Sequence, residues 1–340
     1  MQVKKCLVLI SGGLDSMLAA KLLIEQGIHV EGINFFTGFS GENPNLIENQ
    51  AAVKLHSARW VAEQLAIKLH LIDVVNDFKC VLFNPRFGYG ANLNPCLDCK
   101  IFMVKKAFAY LQQNGFDFLV TGEVLGQRPM SQRKDTLPIV AKDTEDLLLR
   151  PLSAKLLAPT LPEREGWVDR KLLCDFNGRT RKPQIALAKK FGFQGFPQPA
   201  GGCELTDPVF ARRLKDLWQH RPSKEYSLDD IALLKTARHL RPRDNFKLII
   251  GRDESDNIKL QKYQAQHISL LCVSYPGPIV LIDGTVSDDD INLAARLTAY
   301  FGKGRHDNAV LIKIKKPDAE EYNLTVKPIS EQELLKNWYI

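Results

Sequence analysis

The feature that most constrains this chain is a junction near its start. Residues 6–10, Cys-Leu-Val-Leu-Ile, form an unbroken apolar run, and Ser11-Gly12-Gly13-Leu14-Asp15-Ser16 follows at once. A run without polar alternation reads as a strand covered on both faces, as in a parallel sheet sandwiched between helices. Residues 16–26 then take helical spacing, with Met17, Ala20, Leu23 and Ile24 on one side and Gly27 as the C-cap. Two glycines at such a strand-to-helix turn let the backbone bend sharply and approach a ligand closely. Exposed amides at the helix N-terminus hold an anion, helped here by the hydroxyls of Ser11 and Ser16. The plain alternative is a tight turn capped by Ser or Asp. No Gly-Lys-Ser/Thr follows, so this is not a Walker loop.

The rhythm continues downstream. Residues 29–35 read as a strand, 37–49 as a loop rich in Gly, Asn and Pro, 50–65 as a helix and 68–74 as a third strand. A helix at 101–113, a strand at 118–121 and a fifth strand at 146–149 complete an alternating β and α series. Such a series folds as a parallel sheet with helices on both faces and binds ligands at the carboxyl ends of its strands. Residues 153–182, with the basic cluster Arg179, Arg181 and Lys182, break the rhythm as an insertion, and a helix resumes over 181–191. The pattern breaks again around 197–202. Helices are expected at 208–218 and 228–240. A new α+β pattern begins at Phe246, with strands at 246–250, 279–282 and 309–314 and a helix at 289–300. The expected organisation is an α/β domain over 1–205, a helical connector over 206–245 and a smaller α+β domain over 246–340. The 340 residues accord with about 150 per domain.

Composition narrows the function classes. With 45% hydrophobic and 25% charged residues, the chain is neither disordered nor fibrous. No apolar run approaches the roughly 18 residues of a membrane span, and the short apolar start meets Asp15 too soon for a secretory leader. A cytoplasmic location without membrane contact is therefore expected. The 46 basic and 39 acidic residues leave a net charge of +7, which permits a polyanionic partner without requiring one. Nothing in these signals sets the oligomeric state.

Seven cysteines are an odd number in a chain too long to need staples, and read as core residues, reactive thiols or metal ligands. Cys6 and Cys272 sit in apolar runs and read as core; Cys80 and Cys174 lack a companion. Cys96-Leu97-Asp98-Cys99 is expected on a loop before a helix, and Cys203 lies far downstream in Gly201-Gly202-Cys203. A CxxC is commonly half of a zinc site, but no second CxxC is present. Three thiolates on two loops suit a [4Fe–4S] cluster with one iron open to a hydrosulfide. A thiol pair is the rival, one cysteine carrying a persulfide and the other resolving the disulfide. Zinc, or no special role, is the third reading.

The string at residues 11–16, between strand and helix, resembles the pyrophosphate (PP) loop of the N-type ATP pyrophosphatases, whose sheet is of the adenine nucleotide alpha hydrolase (HUP) type. That family cleaves ATP to AMP and pyrophosphate to activate a carbonyl or carboxyl oxygen. Thr121-Gly122-Glu123-Val124-Leu125-Gly126-Gln127, with Ser131-Gln132, closely resembles a segment of the tRNA 4-thiouridine synthetases of the ThiI type. Leu149-Arg150-Pro151-Leu152 matches their LRPL, and Ile185, Ala186 and Gly192 fit their next helix. The Asn94-Pro95-Cys96 and Gly201-Gly202-Cys203 strings are also similar to those of the tRNA 2-thiouridylases. The resemblance spans residues 5–205. Residues 249–260, with Pro276-Gly277-Pro278 and Ala294-Ala295-Arg296, resemble the NFACT-R domain, an RNA-binding module.

The resemblance implies an ATP-dependent tRNA thiouridylase. The uracil oxygen is adenylated, and sulfur then displaces AMP, at C2 or at C4. Ser11, Gly12, Gly13, Asp15, Ser16, Gly122 and Gln127 would bind ATP, with Asp15 also holding magnesium (Mg2+) and pyrophosphate. Cys203 stands where the family carries its catalytic cysteine, and Cys96 with Cys99 resembles the extra pair of cluster-dependent members. The implied partners are tRNA and a sulfur donor, sulfide or a cysteine desulfurase. The family's THUMP and rhodanese modules are not found in this sequence, so tRNA grip is expected from residues 153–182, from Arg212, Arg213 and Lys215, or from the C-terminal domain. Arg128, Arg133, Lys134 and Lys142 are candidates for phosphate contact. Two rivals share the loop: a ligase or amidotransferase that adenylates a small molecule, and a non-enzymatic RNA-binding protein with a vestigial nucleotide site.

Overall fold

The computed structural model describes residues 3–40, 57–193, 195, 203–317 and 319–340. The chain divides into two compact units, Met1–Asp207 and Pro208–Ile340. The first contains β1 (Lys5–Leu9), α1 (Leu14–Ile24), β2 (His29–Phe36), α2 (Ala58–Leu65), β3 (Leu69–Asp73), α3 (Val75–Phe83), α4 (Cys96–Asn114), β4 (Phe118–Thr121), α5 (Thr136–Ala141), β5 (Leu148–Leu149), α6 (Leu161–Arg164) and α7 (Lys182–Lys190). Its sheet runs β3-β2-β1-β4-β5 with every pairing parallel. The expected parallel α/β fold is the one observed.

The apolar run of β1 has a direct reason. Cys6 and Val8 join one hydrophobic layer with Leu14, Met17 and Leu18 of α1, while Leu7 and Leu9 join the other with Val104, Phe108 and Leu111 of α4. Each alternate side chain is buried on its own side, a gain on the order of 1.5–3 kcal/mol for a Leu or Val. The strand order reverses at β1, between β2 and β4, which opens a crevice at the carboxyl ends of those strands.

Some expected boundaries moved. The fifth strand shrinks from 146–149 to Leu148–Leu149, because Glu145 and Asp146 hold left-handed backbone, φ 51° and 63°. The helix expected from 101 begins at Cys96 behind Pro95, where Asp98 in its first turn accepts from the amides of Arg86 and Phe87. Cys96 and Cys99 therefore sit on the first turn of α4 and not on a preceding loop. Of the helix expected at 50–65, the described part is α2, capped by Ser57, whose hydroxyl accepts from the Trp60 amide. The loop expected at 37–49 beyond residue 40, and the break at 197–202, lie outside the described residues. Within 153–182, Val168 and Leu173 are buried in the same cluster as β1 and α1. No helix among the described residues is long and apolar enough to cross a membrane.

The second unit contains α8 (Pro208–Gln219), α9 (Leu228–Leu234), β6 (Arg238–Arg243), β7 (Phe246–Ile250), α10 (Glu254–Gln261), β8 (Ile268–Cys272), β9 (Ile279–Gly284), α11 (Asp288–Tyr300), β10 (Val310–Lys315) and β11 (Tyr322–Val326). All pairings are antiparallel, in the order β11-β10-β8-β9-β7-β6. Ile291, Ala294, Ala295 and Leu297 of α11 pack on one face. Leu233 of α9 and Leu260 of α10 pack on the other, against Ile249, Ile279 and Leu281. The helix expected over 228–240 stops at Leu234. Ala237 turns left-handed at φ 65°, and the chain then pairs with β7 as β6.

Candidate nucleotide and thiol site

The loop between β1 and α1 is built by its own side chains. Gly12 takes φ 80°, a conformation glycine adopts freely, and Gly13 caps α1 from an extended conformation. The Ser16 hydroxyl donates to the Gly13 carbonyl at 2.8 Å and accepts from the Ser11 amide at 3.3 Å. The Ser11 hydroxyl accepts from the Gly13 amide at 3.4 Å. The first amides of α1 have no carbonyl to meet within the helix, which makes this end an anion cradle.

The segment after β4 closes on this loop. A Cβ on Gly122 would lie 2.5 Å from the Asp15 carbonyl carbon and from the Ser16 nitrogen, so no side chain fits. Gln127 donates its amide nitrogen to Asp15 Oδ2 at 2.7 Å, and its own carbonyl accepts from Gln184 of α7 at 3.1 Å. Asp15 Oδ1 is buried without a hydrogen-bond partner. Burial pushes the Asp15 carboxyl above its ordinary range, against the lowering pull of the Gln127 bond and of the Arg181 and Arg128 charges. A buried carboxylate oxygen with no donor is a hard ligand that fits magnesium.

Other motif residues serve as scaffold. Arg150 donates to Glu123 Oε2 at 3.0 Å and to the Leu137 carbonyl at 3.0 Å, and Thr121 donates to the same Glu123 oxygen at 2.9 Å. Glu123 and Arg150 are both buried. Burial pushes Glu123 up, but Arg150 and Lys100 more than offset it and hold the carboxyl below its ordinary range. The Ser153 hydroxyl donates to the Phe176 carbonyl and accepts from the Leu125 amide, and the Gly178 amide donates to the Leu125 carbonyl. The expected insertion is thus clasped to the segment that carries Gln127.

Backbone bonds bring the two cysteine segments together. The Leu93 amide donates to the Leu205 carbonyl at 3.1 Å, and Asn92 donates to the Thr206 carbonyl at 2.7 Å. Cys203 and Cys96 both act electrostatically on the Cys99 thiol, which burial first of all pushes up to about 12. Arg128 and Lys100 pull it down. The Cys96 thiol reaches the Ser131 hydroxyl at 3.5 Å. Among the described residues, however, no group of three Cys, His, Asp or Glu side chains is arranged to hold a metal ion. The thiol set as placed does not fit the expected cluster.

Of the other basic candidates, Arg133 pairs with Asp135, whereas Arg128 and Lys134 are exposed. Arg213 departs from expectation. Its guanidinium donates to the Leu234 and Ala237 carbonyls, binding α8 to the end of α9, while Arg212 and Lys215 are exposed. Gln184 and Glu123 were not anticipated as site residues, and Arg181, expected within the basic stretch that grips tRNA, lies close enough for its charge to act on Asp15. Arg150 and Glu123 were visible as parts of motifs, but their pairing across the fold carries no local signal.

Residues 4–148 match the family described as the tRNA methyl transferase HUP domain, and residues 237–339 that described as the NFACT protein RNA binding domain. The chain is 34% identical over 240 residues to the tRNA-specific 2-thiouridylase MnmA 1 of Syntrophus aciditrophicus, covering 66% of this chain and 63% of that one. It is 29% identical over 230 residues to the tRNA-specific 2-thiouridylase MnmA of Symbiobacterium thermophilum, covering 63% and 55%. To that of Pelobacter propionicus it is 35% identical over 127 residues, covering 35% and 33%. The matched region thus spans less than two thirds of each of these relatives. Residues 4–148 form a HUP domain of the PP-loop family, and residues 237–339 a domain of the NFACT RNA-binding family.

Proposed function

We propose that this chain thiolates a uridine of tRNA, using ATP to activate the uracil oxygen. The observation that carries the reading is the segment 121–132, which bonds Asp15 of the phosphate loop through Gln127 and the Cys96 thiol through Ser131. An ATP-splitting loop and a thiol joined by one short segment are what adenylation followed by sulfur delivery requires. The tRNA-specific 2-thiouridylases among the relatives favour C2 as the atom modified.

In this reading the uracil oxygen attacks the α-phosphate of ATP, and pyrophosphate leaves toward Ser11, Gly12, Gly13 and the first amides of α1. Those donors are fixed before the charge develops, which is where preorganisation lowers a barrier. Magnesium, when bound, would neutralise the growing charge on pyrophosphate. Asp15 would hold it, and Gln127 would orient Asp15. The base is now an imidate ester whose leaving group is AMP. The terminal sulfur of a persulfide on one of the three cysteines attacks its carbon and AMP departs. A second thiolate then attacks the cysteine sulfur, which releases the thiouridine and leaves a disulfide between the two cysteines. An external thiol must reduce that disulfide before the next turnover. No step is routed through an iron–sulfur cluster, whose ligand arrangement the described residues lack. The second unit, through Arg212, Lys215 and its NFACT-type domain, would grip tRNA.

The test combines purified protein, ATP, magnesium, unmodified tRNA, a cysteine desulfurase with cysteine as persulfide source, and a reducing thiol. AMP, pyrophosphate and 2-thiouridine are expected, the last by mass spectrometry of digested tRNA. Release of ADP, or turnover of ATP with tRNA left unthiolated, would overturn the reading.

A further inference from the structure

We propose that Gln184 is a positioning residue, one that sets the aim of Asp15 toward a hydrated magnesium ion through Gln127. The proposal deepens the reading of the phosphate loop as an ATP and magnesium site and rests on it. An ionised carboxylate only accepts hydrogen bonds. Gln127 must therefore turn its NH2 to Asp15 Oδ2, which leaves its carbonyl facing away. Gln184 then has to present its own NH2 to that carbonyl. The direction of both amides is dictated from the carboxylate outward.

This chain ends in an acceptor with no donor. Gln184 is 0% exposed, and its Oε1 has no hydrogen-bond partner. Asp15 Oδ1, the other oxygen of the carboxylate at the opposite end of the relay, is in the same condition. A buried, unsatisfied acceptor costs about 1–3 kcal/mol. Gln184 also acts on Asp15 directly as a hydrogen-bonding side chain, so the two orphaned oxygens lie at one site and call for a partner that the protein itself does not supply. A magnesium ion would supply both, taking Asp15 Oδ1 as a ligand and offering Gln184 Oε1 one of the several waters that magnesium usually keeps. Gln184 reaches the loop from α7, so the helix that follows residues 153–182 takes part in holding the cation.

Gln184→Glu tests this with shape nearly unchanged. The ionised carboxylate that this variant places on α7 has no NH2 to give, so Gln127 must flip to satisfy it and would then present a carbonyl to Asp15. Gln184→Met nearly keeps the volume and removes the bond to Gln127. Full-length protein is titrated with magnesium at fixed concentration of a non-hydrolysable ATP analogue, by calorimetry, and with the analogue alone in the absence of metal. Both variants should raise the magnesium concentration for half-saturation by about 10- to 100-fold, as is usual when an outer hydrogen-bond partner of a metal ligand is lost. Both variants should melt lower, because each leaves a buried polar group without its partner, while the metal-free analogue affinity of the folded protein should stay near wild type; a merely structural role would lower metal-free and metal-dependent affinity alike. Asp15→Ala separates the two levels of the argument. If Asp15→Ala abolishes the magnesium effect while both Gln184 variants leave it unchanged, the relay is wrong and the site stands. If none of the three moves it, the magnesium site is wrong and the relay falls with it. Equal loss of metal-free and metal-dependent affinity in the Gln184 variants would also overturn the proposal.

Discussion

Gly122→Ala is the sharpest perturbation the structure offers. The added methyl would sit 2.5 Å from both the Asp15 carbonyl carbon and the Ser16 nitrogen, and 2.6 Å from the Asp15 oxygen. Ordinary contact begins at 3.4 Å, so the end of β4 and the phosphate loop must separate by about 0.9 Å (3.4 minus 2.5). All three contacts are backbone, so no side chain can swing aside. Overpacking of this kind costs about 1–3 kcal/mol, and a backbone clash belongs at the upper end. If the strain stays in the fold, the melting temperature of a domain this size falls by about 2–4 °C per kcal/mol. If the loop yields, its amides move by nearly 1 Å, which carries a hydrogen bond of about 2.9 Å past its useful range. ATP affinity then falls by tenfold for every 1.4 kcal/mol lost. Calorimetric melting and ATP titration on one sample measure both shares. Gly13→Ala is the stability control, because its Cβ meets only the Ser11 hydroxyl at 3.4 Å and its φ of −89° suits any residue. Wild-type melting together with wild-type ATP affinity in Gly122→Ala would refute the reasoning.

Other consequences can be measured independently. Arg150→Met should destabilise the first unit by about 3–5 kcal/mol, because it leaves Glu123 charged, buried and unpaired. Adding Glu123→Leu should recover much of that loss, and urea denaturation of both variants decides it. His239 is buried with Nε2 between the Leu233 and Thr236 carbonyls, and burial, then the Arg213 and Lys247 charges, hold its pKa well below 6.5. The native ring stays neutral while the unfolded one takes a proton below pH 6.5, so stability must fall with falling pH. Between pH 7.5 and 5.0 the loss is about 2 kcal/mol, and His239→Leu should flatten that part of the pH profile. With burial pushing its thiol up to about 12, Cys99 should resist iodoacetamide at pH 8 while exposed Cys80 is labelled, as peptide mapping would report.

The division between sequence and structure follows the range of the forces. What the sequence determined by itself was local: the apolar run that must be a doubly covered strand, the glycine turn at Gly12, the helix of Met17 and Leu23, and hence the parallel α/β class. Periodicity and backbone freedom act within a few residues, so they can be read along the chain. The motifs also marked Ser11 to Ser16, Gly122, Gln127 and the three cysteines as candidates. Tertiary structure alone decided the rest. Gly122 must lack a side chain because β4 lies beside β1 and brings residue 122 onto Asp15. Glu123 meets Arg150, and Gln184 meets Gln127, only once the sheet and α7 are in place. The thiol of Cys99 feels Cys203 because the amide of Leu93 bonds the carbonyl of Leu205. Arg213 carries the same charge in sequence as its neighbour Arg212. Burial against two carbonyls turned it from a candidate phosphate contact into a tie between helices. Such contacts join residues distant along the chain, and their energies come from burial and pairing that exist only after folding.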